Sequence, residues 1–187
     1  QNGLADNTVS CIHKDRDGFM WFGTNNGLSR YDGKNIRNFG LDELYMKVNH
    51  IRETENNLLW LVANEQIYCF DRRMERYIPV SLNGKYTGVQ DILLQKDNSL
   101  WAISNETLYL ISIDYRKNPD ENMTGVNLRV EKEFANLAGG NINYTAICQS
   151  PEGMIYIATD WGNIVTFDPV SYQVIDKGDL PKVNKVH

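Results

Sequence analysis

Gly18-Phe19-Met20-Trp21-Phe22-Gly23-Thr24-Asn25-Asn26-Gly27-Leu28-Ser29-Arg30-Tyr31-Asp32-Gly33 reads as turn, strand, turn, strand, turn. Met20–Thr24 is a short strand with the aromatic Trp21 at its centre, a composition that favours a pleated, half-buried surface. Asn25-Asn26-Gly27 supplies residues that tolerate positive φ, as a tight hairpin demands. Leu28–Tyr31 is the return strand, and Asp32-Gly33 starts a second turn. Two hairpins in one short stretch predict a meander with no helix.

The pattern recurs with Trp21 as its ruler. Val9, Ile12 and Trp21 keep the same spacing as Val48, Ile51 and Trp60, then Val89, Ile92 and Trp101, then Tyr144, Ile147 and Tyr156. Asp17-Gly18, Asn56-Asn57, Asp97-Asn98 and Glu152-Gly153 mark the turn before each ruler. Four gap-free copies with an invariant Ile define an internal repeat. Each unit predicts four strands, first spelled Thr8–Lys14, Met20–Thr24, Leu28–Asp32 and Asn35–Phe39. The second unit ends its fourth strand at Val80. The third carries a polar insertion around 116–125 that displaces its last strand to Val126–Phe134.

A four-stranded meander of about 40 residues is the size of a propeller blade. The expected fold is all-β: a β-propeller fragment of four four-stranded antiparallel blades plus the first strand of a fifth. The blades span approximately 4–40, 48–80, 88–135 and 142–178, and the next begins at 183–187. The rulers are expected to wedge between blades, and end blades with uncovered apolar faces are expected to self-associate.

Composition narrows the function classes. Net charge is −5, which disfavours nucleic acid because phosphate neutralisation needs a basic face. No apolar run approaches the roughly 20 residues of a membrane helix, so any membrane contact is expected only through segments outside this piece. The chain starts at Gln1 without an initiating Met or a leader, and is expected to be cut from a longer product. Cys11, Cys69 and Cys148 form no CxxC pair and are expected to be buried small apolar residues.

Gly3-Leu4-Ala5-Asp6-Asn7-Thr8-Val9, Asp17–Thr24 and Gly27–Gly33 closely resemble the two-component regulator propeller repeat. The resemblance is strong in the first blade; Trp60-Leu61-Val62-Ala63 and Trp101-Ala102-Ile103-Ser104 lack its Gly-Thr pair. It implies the periplasmic sensor of a Bacteroides-type hybrid two-component system, many of which control glycan utilisation. Kinase and phosphoacceptor parts of such a system would lie outside this piece.

Candidate chemistry is sparse. Asp15-Arg16-Asp17-Gly18 hints at a calcium loop, but Asn26 sits where the closing glutamate belongs, so a hairpin turn is expected. His13 and His50 have no second ligand at metal spacing, and no phosphate loop or nucleophile elbow is present. No catalytic residue, metal site or cofactor is therefore assigned. The turns between second and third strands share one rim, and their ligand-binding candidates are Asn26, Glu65, Glu106, Asp160 and Trp161. Amides and carboxylates there suit sugar hydroxyls, and Trp161 suits stacking on a pyranose. The function expected is a non-enzymatic sensor for a glycan or oligosaccharide, with a propeller-fold glycan-cleaving enzyme or a protein-interaction scaffold as alternatives.

Overall fold

The computed structural model describes residues 3–40, 45–84, 88–120 and 122–179, so the strand expected at 183–187 lies outside the described residues. Every regular element in it is a strand. Blade 1 holds β1 (Val9–Lys14), β2 (Met20–Thr24), β3 (Gly27–Tyr31) and β4 (Ile36–Phe39). Blade 2 holds β5 (Val48–Glu53), β6 (Leu58–Ala63), β7 (Gln66–Asp71) and β8 (Arg76–Ile78), followed by a separate β9 (Val80–Asn83). Blade 3 holds β10 (Val89–Leu94), β11 (Ser99–Ser104), β12 (Thr107–Lys117) and β13 (Met123–Ala135). Blade 4 holds β14 (Tyr144–Gln149), β15 (Ile155–Thr159), β16 (Asn163–Asp168) and β17 (Gln173–Asp179). The four strands of each blade form an antiparallel meander in chain order, and the first strands β1, β5, β10 and β14 contact one another in succession.

The repeat spacing contains an irregularity that the backbone resolves. Residues three apart on a regular strand point to opposite faces. Yet Val48 and Ile51 enter one cluster, Val89 and Ile92 another, and Tyr144 and Ile147 a third. A register shift just after Val9, Val48, Val89 and Tyr144 inserts one residue in every first strand. This recurrent bulge brings both apolar side chains to the same face.

The three clusters are the three seams between blades. Trp21 is buried against Val48, Ile51, Leu59 and Phe70 of blade 2. Trp60 is buried against Ile92 and Ile111 of blade 3, and Trp101 against Ile147 and Phe167 of blade 4. Trp21, Trp60 and Trp101 therefore wedge into the following blade, and Ile51, Ile92 and Ile147 face the preceding one. Seams 1/2 and 3/4 share an aromatic triad: Trp21, Phe39 and Phe70 at 5.0–5.7 Å, and Trp101, Phe134 and Phe167 at 5.1–6.0 Å between centroids. The edge-to-face pairs, Trp21–Phe70, Phe39–Phe70, Trp101–Phe167 and Phe134–Phe167, each add about 0.5–1.5 kcal/mol beyond area burial.

Two expectations change. The polar stretch 116–125 does not displace the last strand; it is the tip of a long hairpin in which Ile113 pairs with Leu128 and Arg116 with Gly125. The overhang leaves β13 a free edge, and β9 fills it in parallel, Val80 opposite Val126 and Leu82 opposite Leu128. Blade 3 is thus five-stranded, and Pro79, which has no N–H to continue β8, is the break between blades. Among the cysteines, all free, Cys69 is buried as expected, but Cys11 is half-buried and Cys148 exposed. Cys148 alternates with Ile147 and so lies on the face of blade 4 that no described sheet covers.

Candidate functional site

The turns after each second strand lie on one rim, and their backbone explains their composition. Asn64, Glu65 and Asn105 have φ of 47°, 61° and 47°, the left-handed region in which Asn is least strained. Asn64 accepts from the Lys47 N–H at 3.0 Å and donates to the Tyr45 carbonyl at 2.6 Å. Asp160 accepts from the backbone and side-chain amides of Asn143 at 3.2 and 2.9 Å. These side chains fasten the rim to the chain entering blades 2 and 4, so Asp160 has a structural engagement. Asn26 and Glu65 are exposed and Glu106 is half-buried. Trp161 is 75% exposed. Glu65 also lines a cleft of about 430 Å3 whose floor is Ile67, Val80 and Leu82.

The opposite rim carries the turns before each ruler. Between blades 2 and 3 it holds a cleft of about 370 Å3 lined by Glu55, Asn56, Gln95, Lys96, Asn98 and Tyr115, with Arg16 of blade 1 at its edge. Arg16 is held there by Glu53 Oε1 at 3.0 Å and by the carbonyls of Glu55 and Thr54, both at 2.9 Å. Burial raises the Tyr115 hydroxyl above its ordinary pKa, against an opposing hydrogen bond to Asn56. Tyr115 is therefore a neutral aromatic wall with amides beside it. Sequence reasoning missed this cleft because Tyr115 sits just before the stretch 116–125 taken for an insertion, at a position given no role.

A third site lies in seam 1/2. Asp15 has a fully buried carboxylate. Its Oδ1 accepts from the N–H groups of Asp17 and Phe19 at 3.0 and 2.9 Å, and its Oδ2 from Trp21 Nε1 and an Arg72 terminal nitrogen, both at 2.7 Å. Burial alone would raise its pKa; the Trp21, Phe19 and Arg72 donors outweigh burial and hold it below the usual carboxylate range. Arg72 also bonds Asp17 at 2.7 Å, Glu53 at 2.8 Å and Asn57 at 3.2 Å, while its Nε has no partner. A cleft of about 200 Å3 opens beside this network. What reads as a fragmentary calcium loop is an anchor between blades. Among the described residues no group of three or more His, Cys, Asp or Glu is placed to hold a metal ion. His13 and His50 each pair with one carboxylate, Glu53 at 3.3 Å and Asp91 at 3.5 Å.

Residues 3–26, which span β1, β2 and the anchor Asp15, match the family model for the two component regulator propeller. Over these residues the first blade is similar to a two-component regulator propeller repeat. Around this repeat, the fold matches the extracellular domain of a protein described as a hybrid two component system of B. thetaiotaomicron, with a TM-score of 0.71 and 18% identity over 95% of this chain and 23% of that one. The extracellular domain of a second B. thetaiotaomicron protein, described as a one component system, matches with a TM-score of 0.68 and 23% identity over 96% and 22%. Virginiamycin B lyase from Staphylococcus aureus matches with a TM-score of 0.67 and 17% identity over 94% and 57%. The chain thus spans less than a quarter of the two extracellular domains and just over half of the lyase. At these identities the likeness establishes the propeller fold. No curated protein matches the sequence.

Proposed function

We propose that this chain is part of an extracytoplasmic, periplasmic signal-input module that recognises a glycan or oligosaccharide without transforming it. The match of residues 3–26 to the repeat is the observation that supports this most, and the shared fold with extracellular sensor domains agrees with it. Ligand binding would bias a receptor between two states, and any kinase output would belong to other parts of the polypeptide. Of the two rims, the one carrying Tyr115 suits a sugar better. Concavity, an aromatic wall and several amides come together there. The opposite rim offers Trp161 on an open turn, with Asp160 already engaged.

Calorimetric titration with malto-, cello-, xylo- and manno-oligosaccharides, with chromatographic analysis of products, tests the reading. Saturable binding without new products supports it. Turnover would replace it with the enzyme reading, and no binding alongside a stable protein partner would replace it with a scaffold. Tyr115→Ala should weaken binding about tenfold, the effect of losing roughly 1.4 kcal/mol of stacking. If Trp161→Ala does so instead, the ligand sits on the other rim.

A further inference from the structure

Granting the glycan reading above, we infer that the sugar held in the Tyr115 cleft is anionic, bearing carboxylate or sulfate groups, and that Lys96 and Arg16 select it. Five residues before each ruler, in the turn between first and second strands, stand Arg16, Glu55, Lys96 and Pro151. The two cations of this set meet at one cleft. Arg16 reaches from blade 1 onto the blade 2 turn, where the carbonyls of Thr54 and Glu55 hold its terminal nitrogens at 2.9 Å. Lys96 enters the same cleft from the blade 3 turn.

The charges around the cleft are not equally available. Glu53 is spent inside the protein. Its Oε1 accepts from Arg16 Nε at 3.0 Å and an Arg72 terminal nitrogen at 2.8 Å; its Oε2 accepts from the Arg16 backbone N–H at 3.2 Å and lies 3.3 Å from His13 Nε2. A guanidinium carries five N–H groups. The bonds of Arg16 to Glu53, Thr54 and Glu55 use three, which leaves two donors on an exposed side chain. Lys96 is exposed and has no ion pair or side-chain hydrogen bond among the described residues. Against these stands Glu55, the one lining carboxylate without a partner among the described residues. A neutral sugar would use the Tyr115 face and the amides of Asn56 and Asn98 but would gain nothing from Lys96. An amino sugar would need Glu55 to outweigh both cations. An anionic sugar engages Lys96 and the spare Arg16 donors together, with Glu55 subtracting part of the gain. Ion pairs this exposed are individually weak, so the preference for the anion should be modest, about fivefold.

Calorimetric titration of the 187-residue chain with two matched pairs tests this: trigalacturonate against its methyl ester, and sulfated against unsulfated N-acetyllactosamine. At low salt at least one anionic member should bind about fivefold tighter than its neutral twin, and the gap should close at about 0.5 M NaCl. The responding pair identifies the anion. Lys96→Met should bring the ratio within about twofold of unity, whereas Glu55→Gln should raise it about threefold. Both side chains are exposed, so thermal melts of the two variants should match wild type. Opposite shifts from two turns of one cleft are not what structural damage produces. Equal binding of the twins, or binding of neutral oligosaccharides alone, overturns the selection by charge and leaves the glycan reading standing. A preference for the anion that survives Lys96→Met overturns it too, because another cation then holds the charge. Failure of every sugar to bind overturns both.

Discussion

Replacing Arg72 by Met tests whether seam 1/2 depends on its buried charges. The Arg72 side chain is 5% exposed and Asp15 is fully buried, so removing the guanidinium leaves a carboxylate that cannot reach water. Breaking a buried pair by removing one partner costs about 3–5 kcal/mol. Asp15 keeps its bonds from the Asp17 and Phe19 amides and the Trp21 indole, which argues for the lower end, about 3 kcal/mol. For a chain of this size that is a fall of roughly 6–12 °C in Tm. Asp17, whose side chain is 58% exposed, bonds the same guanidinium, yet Asp17→Asn should cost under about 1 kcal/mol because water can replace the contact. Asp15→Asn in the Arg72→Met background should recover part of the loss. Urea unfolding at pH 7, followed by Trp fluorescence, supplies all four values. The sign with pH is fixed: a depressed carboxylate contributes stability that is present above its unfolded pKa, near 3.9, and is lost as pH falls through the folded value. The gap between wild type and Arg72→Met should therefore narrow below about pH 4. A loss under about 1 kcal/mol at pH 7, or no recovery on adding Asp15→Asn, would refute the reasoning.

Gly23→Ala would place a methyl group against Cys11 Sγ and 2.9 Å from the Val48 carbonyl, so a loss of about 1–3 kcal/mol is expected in the same urea assay. Adding Cys11→Ala should recover only part of it, since the Val48 backbone cannot move aside. His50 has its pKa lowered by burial, opposed by Asp91 and assisted by Arg52. The unfolded state therefore takes up a proton near pH 6.5 that the folded state resists, and stability falls as pH drops through that value. Thermal melts at pH 7.5 and 5.5 should show a smaller pH effect for His50→Asn than for wild type. Titration with a thiol reagent on dilute native protein should label exposed Cys148 first. Cys11, pushed up to about 11 by burial, should follow slowly, and buried Cys69 only on unfolding.

The blades were legible because the fold writes the same requirement four times. A ruler aromatic must fill each seam, and a turn must precede it, so spacing alone exposes the period. Strand addition was not legible. Whether Val80–Asn83 finishes blade 2 or joins blade 3 depends on Pro79 and on the free edge that the long β12–β13 hairpin offers. The second of these exists only once the sheets are assembled. The polar composition of 116–125 suggested an insertion, yet backbone pairing such as Arg116 with Gly125 continues the hairpin whatever the side chains are.

Polar sites were harder to read for a related reason: a residue type fixed by one seam resembles a motif for something else. Six positions before each ruler stand Asp15, Thr54, Gln95 and Ser150. In blade 1 that residue meets an indole N–H and an arginine from the next blade, so Asp is required. In blade 2, Thr54 turns to Asn56 and the Leu58 carbonyl, and the buried Trp60 Nε1 has no carboxylate at that position to bond. The repeat therefore keeps its wedge where the polar lock has been lost, which means that apolar seam packing, and not the lock, maintains the stack. The lock is free to vary, and with it the chemistry of the rim above each seam. Seam 1/2 has closed its rim with Arg72 and three carboxylates, whereas seam 2/3 leaves Tyr115 and its amides around an open cleft. Seam 2/3 carries its charged contact at another place, Arg52 to the buried Asp91 at 2.8 Å, so loss of the lock relocates the polar bond between blades and leaves Tyr115 beside the cleft.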